Sequence, residues 1–193
     1  MQQPEEISMG KPYIIGIAGC AQSGKSTFAR KLEQALDGAN IKIFHIDDYH
    51  KPKDAQPRTT SSITGIEYID FNQPLSFDLR RLRADLQAVN TDTVDVIIVE
   101  GTLILYDEVI ISLLDLKLYV DARAEERAER YVGLYSQFYG YDFIKNSYAE
   151  LVTYRIDEYV EPTKWRADVI INGSNPTDKS VDMIVAMYRN CIK

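Results

Sequence analysis

The sequence lacks the features that disulfide-stabilised, metal-clustered and membrane-spanning proteins need. Its 193 residues include only two cysteines, Cys20 and Cys191, which are too few for a disulfide framework or a zinc cluster. No run of about 18 apolar residues occurs, so no segment is predicted to span a membrane. Residues 1–11 lack the apolar stretch of a signal peptide and are expected to form an N-terminal tail. These absences predict a soluble, cytoplasmic protein.

Positive charge is also scarce. Lys and Arg number 22 against 29 Asp and Glu, a formal net charge of −7. Such an acidic chain is a poor match for the phosphate backbone of DNA or RNA, so no nucleic-acid partner is expected. A small anionic ligand is compatible with this charge, because it needs only a local positive site.

Short apolar runs rich in Ile and Val alternate with stretches of helical periodicity. The runs cover residues 13–18, 41–46, 94–99, 116–120 and 169–171, and the helical stretches cover residues 25–36, 76–89, 125–134, 148–160 and 180–191. Continuous apolar runs are typical of parallel strands buried on both faces. The alternation therefore predicts a single three-layer α/β domain over residues 12–193.

Two segments interrupt this alternation. Residues 48–74 contain three prolines and a glycine and are expected to form a long excursion from the domain. Residues 133–147 contain five aromatic side chains, all within residues 135–143, and two glycines, Gly133 and Gly140. Two interpretations stay open for the second segment: aromatic side chains packed under a loop, or a mobile lid.

A phosphate-binding motif follows the first apolar run. It consists of Gly19, Cys20, Ala21, Gln22, Ser23, Gly24, Lys25 and Ser26, which together read G-x-x-x-x-G-K-[ST], the P-loop. Its glycines let backbone N–H groups point at phosphate oxygens where the next helix begins. We expect these residues and Thr27 to bind a nucleotide, with Lys25 reaching the β- and γ-phosphates and Ser26 ligating Mg²⁺. GTPases and ABC transporters are disfavoured, because the chain contains neither D-x-x-G nor L-S-G-G-Q.

Acidic residues end the second and third apolar runs. Asp47 and Asp48 follow the second run and Glu100 ends the third. Ligands bind beyond the carboxyl ends of parallel strands, so these carboxylates should share a crevice with the P-loop. We assign Glu100 to Mg²⁺, because its strand should neighbour the P-loop strand, and Asp47 to the base that accepts the proton of an attacking hydroxyl. Asp48 is the alternative base, although alternation in an extended chain would point it the other way.

Arg127 and Arg130 lie three residues apart and share one face of a predicted helix. They could clamp the transferring phosphoryl group as it gains charge. The alternative is a solvated helix that carries Glu–Arg pairs.

Taken together, these motifs resemble the uridine kinase and phosphoribulokinase family of P-loop kinases, which includes nicotinamide riboside kinase and pantothenate kinase. The matching segments, in the order of the family, are residues 19–26, Asp47-Asp48-Tyr49, residues 72–78, residues 98–101, Arg127 with Arg130, and residues 161–164 followed by residues 167–171. The resemblance implies a three-layer P-loop kinase fold, in which helices flank a five-stranded parallel sheet. It also implies a small helical lid at about residues 123–147 and an acceptor-side excursion at about residues 48–74.

The same resemblance implies an ATP- and Mg²⁺-dependent kinase. The γ-phosphoryl group would pass to a hydroxyl of a nucleoside-like acceptor such as uridine, cytidine or nicotinamide riboside. Asp47 would be the base and, with Tyr49, Asn72 and Arg127, would contact the acceptor. Arg127 and Arg130 would close over the phosphates, and adenine would lie near Asn172.

The sequence departs from uridine kinases in three places. Their P-x-Y-D-F hairpin, which shapes the base pocket, is replaced by the short link of residues 90–93. Asn72 stands where the family usually has an acceptor-binding Asp, and no further lid arginine occurs between Arg130 and Arg155. Kinases of pantothenate, glycerate or a sugar phosphate therefore stay as alternatives. Lys51, Lys53 and Arg58 could face an acceptor phosphate, although a solvated loop face is the favoured interpretation of such a charge cluster. A non-catalytic nucleotide-binding module also stays open, as do the monomeric and homodimeric states.

Overall fold

The structure is a computed structural model that describes residues 11–175 and 177–191. Most of the predicted N-terminal tail lies outside these residues. The strands are β1 Tyr13–Ala18, β2 Ile41–His45, β3 Arg58–Thr60, β4 Glu67–Ile69, β5 Val96–Glu100, β6 Leu116–Asp121 and β7 Val169–Asn172. The α-helices are α1 Lys25–Ala35, α2 Leu79–Gln87, α3 Glu108–Ile111, α4 Ala124–Tyr139, α5 Tyr141–Ser147, α6 Thr153–Arg155 and α7 Asp178–Cys191. No helix in the described part of the chain is long and apolar enough to cross a bilayer.

A five-stranded parallel sheet in the order β2-β5-β1-β6-β7 forms the centre of the domain. Every residue of β1 and β5 is buried, because helices cover both faces of the sheet. One apolar core lies under α1 and α7, and the other lies under α2, α3 and the helical residues 148–160. The predicted α/β fold and the parallel sheet are confirmed.

The central position of β1 determines which residues meet at the carboxyl edge of the sheet. Ile17 of β1 is in register with Glu100, and His45 at the end of β2 is in register with the same Glu100. The expectation that the strand of Glu100 neighbours the P-loop strand is therefore confirmed. The register also brings the ends of three strands together within one crevice.

The excursion at residues 48–74 is more regular than the sequence predicts. It contains 3₁₀ turns at Ile46–Tyr49 and Lys53–Ala55 and the antiparallel hairpin of β3 and β4. Ser61, in the turn of this hairpin, accepts hydrogen bonds from the N–H groups of Ile63 and Thr64 through its hydroxyl. These hydrogen bonds close the turn. The hairpin lacks the alternating apolar pattern by which a strand pair is usually recognised in a sequence.

The aromatic segment at residues 133–147 is helical, as the family resemblance implies for the lid. The interpretation of these aromatic side chains as packed under a loop is therefore wrong. Helix α4 runs on to Tyr139, and Gly140 at φ 84° separates it from α5. A positive φ at that junction suits glycine and lets the chain change direction between two helices. Residues 148–160 continue α5 as π-helical turns on either side of α6, and a 3₁₀ helix at Glu161–Arg166 leads into β7.

Candidate active site

The P-loop folds into a compact turn between β1 and α1. Gly19 has φ +142°, and a Cβ atom there would lie 2.3 Å from the carbonyl oxygen of Val120. Gly24, at φ +101°, precedes the first residue of α1. The Ser23 hydroxyl is buried and has no hydrogen-bond partner among the described residues. A tight turn at the start of a helix with an unpaired buried hydroxyl fits a ligand that accepts hydrogen bonds, such as phosphate.

The Lys25 ammonium lies inside the site rather than in solvent. Its side chain is buried, and Nζ donates to the carbonyl oxygen of Cys20 at 2.9 Å. Burial lowers the pKa of Lys25 below its ordinary value, and the carboxylates of Glu100 and Asp47 act in the opposite direction. A desolvated cation held beside a phosphate-sized turn fits the P-loop role expected from the sequence.

Ser26 and Glu100 are brought together as the sequence predicts. The Ser26 hydroxyl donates to Glu100 Oε1 at 2.9 Å, and Glu100 is 5% exposed. A hydroxyl beside a carboxylate supplies the oxygen ligands that Mg²⁺ prefers. No group of three or more His, Cys, Asp and Glu that could hold a metal occurs among the described residues.

Sequence reasoning missed the contact between His45 and Glu100. His45 Nδ1 lies 2.7 Å from Glu100 Oε1, the oxygen that also accepts from Ser26. The signal that could have found it is positional, since His45 ends β2 in register with Glu100. His45 therefore helps to orient the carboxylate that the sequence analysis assigns to Mg²⁺.

Asp47 lies on the cleft, but the reason differs from the one expected. The chain at Ile46–Tyr49 is a 3₁₀ turn and not an extended strand, so alternation does not decide between the two aspartates. Asp47 lines the cleft, and its side chain is 82% exposed. Asp48 is not among the cleft residues, and its carbonyl accepts from Arg81 Nη2 at 3.2 Å. The geometry gives Asp47, rather than Asp48, access to an acceptor.

The two lid arginines differ strongly in environment. Arg127 is 6% exposed, and its Nε and Nη1 are buried without a partner in the described part of the chain. Arg130 is exposed, donating to the carbonyl oxygen of Gln22 and to Glu126, both at 3.1 Å. A buried guanidinium with unpaired N–H groups is costly unless it meets an anion. Arg127 therefore does not fit a solvated helix face, whereas the Arg130–Glu126 pair does. Arg127 is not among the residues that line the cleft or the groove beside it, whereas Arg130 lines that groove.

A buried polar network beneath the P-loop was not foreseen from the sequence. The Tyr119 hydroxyl donates to Glu161 Oε2 at 2.7 Å and lies 3.3 Å from the Sγ of Cys20. Burial raises the pKa of the Cys20 thiol, which keeps it protonated and unsuited to a nucleophilic role. Lys164 pairs with Asp121 beside this network. The network holds the P-loop against β6 and the Glu161–Arg166 helix.

Two residues expected at the acceptor lie in different places. Asn72 lines the cleft. Tyr49 is instead buried in the core, where its hydroxyl donates to Asp85 of α2 at 2.9 Å, and it is not among the cleft residues. Asp70, close to Asn72 in sequence, is fully buried and pairs with Arg155 Nε at 2.7 Å. Its carboxylate is therefore occupied by structural contacts.

A second groove of about 290 Å³ lies on the other side of the P-loop. Thr27, Arg130 and Gly173 are among its lining residues. Asn172, expected near adenine, is not among the residues that line this groove. Its Oδ1 accepts from the N–H groups of Ser174 and Asn175, both at 3.0 Å. Asn172 therefore shapes the turn after β7 that places Gly173 beside the P-loop.

The main cleft, with a volume of about 570 Å³, is lined by two chemically different groups of residues. Polar residues form the phosphoryl end: Gln22, Lys25, Ser26, Asp47, Glu100 and Thr102. Much of the remaining lining is aromatic and comes from the hairpin, from the segment after it and from the two lid helices: Tyr68, Phe71, Phe77, Tyr131, Tyr135, Tyr139 and Phe143. Lys53 also lines the cleft but is exposed.

Comparison with known proteins shows that this chain is similar to uridine kinases. Residues 80–180 match the phosphoribulokinase / uridine kinase family. The uridine kinase of Clostridium botulinum (strain Kyoto) is 30% identical over 96% of this chain and 100% of its own length. The uridine kinase of Brevibacillus brevis is 29% identical over 95% of each chain.

Solved structures share the fold at lower identity. A possible uridine kinase from Bacillus stearothermophilus has a TM-score of 0.54 and 22% identity, over 85% of this chain and 90% of that one. A putative fructose transport system kinase from Silicibacter sp. TM1040 has a TM-score of 0.60 and 17% identity, over 88% and 92%. The likeness extends across most of the domain.

Proposed function

The chain belongs to the phosphoribulokinase / uridine kinase family, and on that premise we propose that it transfers the γ-phosphoryl group of ATP to a hydroxyl of a nucleoside. The observation that carries this proposal is the convergence of a P-loop lysine, a Ser–Glu pair and an accessible aspartate on one cleft. These are the parts that phosphoryl transfer requires: an anchor for the phosphates, oxygen ligands for a metal, and a base beside the acceptor.

Each group has a role that its environment supports. Lys25 and the P-loop N–H groups bind and orient the phosphates, and the unpaired N–H groups of Arg127 are suited to an additional anionic oxygen. We assign Ser26 and Glu100 to Mg²⁺, which supplies neutralisation of the charge on the transferring phosphoryl group. Asp47 accepts the proton of the acceptor hydroxyl as the oxygen attacks phosphorus.

The charges around the acceptor end favour a neutral acceptor. Arg58 is paired with Glu67 at 2.7 Å, and Arg155 is paired with buried Asp70. Lys51 is not among the cleft residues, and Lys53 is exposed. Lys25 and Arg127 are buried cations, and this proposal assigns both to the phosphates of ATP. A carboxylate or second phosphate on the acceptor would therefore lack a buried cationic partner of its own. This favours a nucleoside over pantothenate, glycerate or a sugar phosphate.

The test is acceptor-dependent ADP release from ATP and Mg²⁺. The acceptors are uridine, cytidine, nicotinamide riboside, pantothenate, glycerate and ribulose 5-phosphate. We expect a nucleoside to raise ADP release and the anionic acceptors pantothenate, glycerate and ribulose 5-phosphate to leave it at the background rate. If ATP binds and no acceptor raises ADP release, the chain is a nucleotide-binding module and the proposal fails.

The base assignment has a matched pair of variants within one turn. Asp47→Asn should lower kcat by about 10²- to 10⁴-fold with ATP binding retained, because the proton of the hydroxyl then has no acceptor. Asp48→Asn, in the same 3₁₀ turn but away from the cleft, is the control and should retain kcat. Equal activity of Asp47→Asn and wild type would refute Asp47 as base.

A further inference from the structure

Gln22 lies where the two cavities beside the P-loop meet. It lines both the main cleft and the second groove, and no other described residue lines both. Asp47 lines the main cleft, whereas Thr27 and Gly173 line the second groove. A donor nucleotide in the second groove and an acceptor beside Asp47 would therefore meet at Gln22.

The backbone of Gln22 has a conformation that glutamine rarely adopts. Its φ of 62° is the only positive value at a non-glycine residue in the described part of the chain. Such left-handed values suit glycine and, to a lesser degree, Asn and Asp, but they are unfavourable for a residue with a longer side chain. Strained residues of this kind cluster at active sites and ligand clamps. A glycine would form the same turn without strain, so the turn by itself does not explain the carboxamide.

Few side chains of the P-loop can donate a hydrogen bond into the main cleft. Ala21, Gln22, Lys25 and Ser26 line this cleft, and Ala21 has no polar side-chain atom. The Ser26 hydroxyl already donates to Glu100 at 2.9 Å. The remaining donors of the loop are therefore the Lys25 ammonium and the Gln22 carboxamide, which carries two N–H bonds.

The lid helix α4 holds the backbone of Gln22 in place. Arg130 Nη1 donates to the carbonyl oxygen of Gln22 at 3.1 Å, and Arg130 lines the second groove as well. This bond uses the main chain of Gln22 and leaves the carboxamide for a ligand. A donor that is already in position stabilises a transition state without paying for reorganisation during the reaction.

We propose that the Gln22 carboxamide donates a hydrogen bond to a non-bridging oxygen of the γ-phosphoryl group during its transfer to the acceptor. This role rests on the kinase activity proposed above. As the acceptor oxygen bonds to phosphorus, the bond from phosphorus to the bridging oxygen of ADP breaks, and Asp47 takes the proton of the hydroxyl. Negative charge is then spread over the non-bridging oxygens, where an N–H donor stabilises it.

Two variants separate the carboxamide of Gln22 from its backbone. Gln22→Gly removes both the carboxamide and the strain, whereas Gln22→Met keeps a side chain of similar length on the same backbone but has no N–H donor. Both should lower kcat for acceptor-dependent ADP release by about 10²- to 10³-fold, the range for losing one donor to a transition state. The Kd of ADP, which lacks the γ-phosphate, should stay at the wild-type value, and Gln22→Gly should not lower Tm.

Gln34→Met is the control, because Gln34 is exposed on α1 and lines neither cavity. It should keep the wild-type kcat. A wild-type kcat in either Gln22 variant would overturn the role of the carboxamide and leave the kinase activity intact. A loss of kcat together with weaker ADP binding or a lower Tm in Gln22→Gly would also overturn it, because the side chain would then be structural. If the wild type binds ATP and no acceptor of the panel raises ADP release, both proposals fail.

Discussion

Replacing Arg127 with methionine should make the protein more stable and less active at the same time. The side chain is 6% exposed, and two of its guanidinium nitrogens have no partner within the described residues. Each unpaired buried polar group costs about 1–3 kcal/mol. Methionine fills much of the same space without these groups, so we expect the free energy of unfolding to rise by about 2 kcal/mol. For a domain of this size, that corresponds to a Tm increase of about 4–8 °C.

The same substitution should also remove the cation that we propose stabilises the transition state. Arginines that stabilise a transferring phosphoryl group contribute about 10³- to 10⁵-fold to kcat, so Arg127→Met should lose at least about 10³-fold. Thermal unfolding without nucleotide and acceptor-dependent ADP release measure the two effects separately. Saturating ATP should raise the Tm of the wild type more than that of the variant, because the variant lacks one contact to bound nucleotide.

The control is Arg123→Met, one turn earlier at the start of α4, where the side chain is exposed. It removes the same charge from the same helix and should change neither Tm nor kcat appreciably. A lower Tm with unchanged kcat in Arg127→Met would refute our reasoning, because Arg127 would then be a structural cation satisfied within the folded protein.

Two further predictions concern stability. Arg155→Met leaves the fully buried Asp70 carboxylate without its guanidinium partner, so it should lower the free energy of unfolding by about 3–5 kcal/mol. The control Arg58→Met breaks only an exposed pair with Glu67 and should lower it by less than about 1 kcal/mol. Urea denaturation measures both. Similar costs for both would contradict the burial argument. Burial chiefly raises the pKa of Tyr119 above its ordinary 10.0, so above pH 10 the unfolded chain releases a proton that the folded protein keeps, and stability falls as pH rises. Tyr119→Phe should make this decline shallower by about 1.4 kcal/mol per pH unit, with exposed Tyr154→Phe as the control; equal slopes would refute the assignment.

The strands of the central sheet were predictable because each contains a short apolar run, and the two runs of β1 and β5 are buried on both faces. The β3–β4 hairpin was not, since its strands have three residues each and are only partly buried, and β3 consists of the polar residues Arg58, Thr59 and Thr60. Helical periodicity also missed the end of α4, where the difficulty is an excess of aromatic residues. Between Tyr135 and Tyr139 three of five residues are aromatic, so helical periodicity is hidden although the chain stays helical up to Gly140.

The phosphoryl end of the site was largely accessible from sequence. The P-loop is local in the chain, and the topology of parallel sheets joins Ser26 to Glu100 across 74 residues. The pair of His45 with Glu100 and the pair of Tyr119 with Glu161 need the register of the sheet and the packing of the 3₁₀ helix, neither of which a local pattern contains. Alternation could not show whether Asp47 or Asp48 faces the cleft, because the chain there forms a 3₁₀ turn and not the expected extended strand.

The polar and the aromatic residues of the cleft differ in what determines their positions. The residues proposed to hold phosphate and Mg²⁺ lie in the P-loop and at the ends of β1 and β5, so their positions are determined once the sheet forms. Among the aromatic residues of the cleft, Tyr68 lies on a hairpin and Tyr135 and Phe143 lie on two lid helices, outside the central sheet. We therefore expect substitutions of these aromatic residues to leave the P-loop and Glu100 in place. The family establishes the phosphoryl transfer, and the acceptor has to be inferred from the residues that line the rest of the cleft.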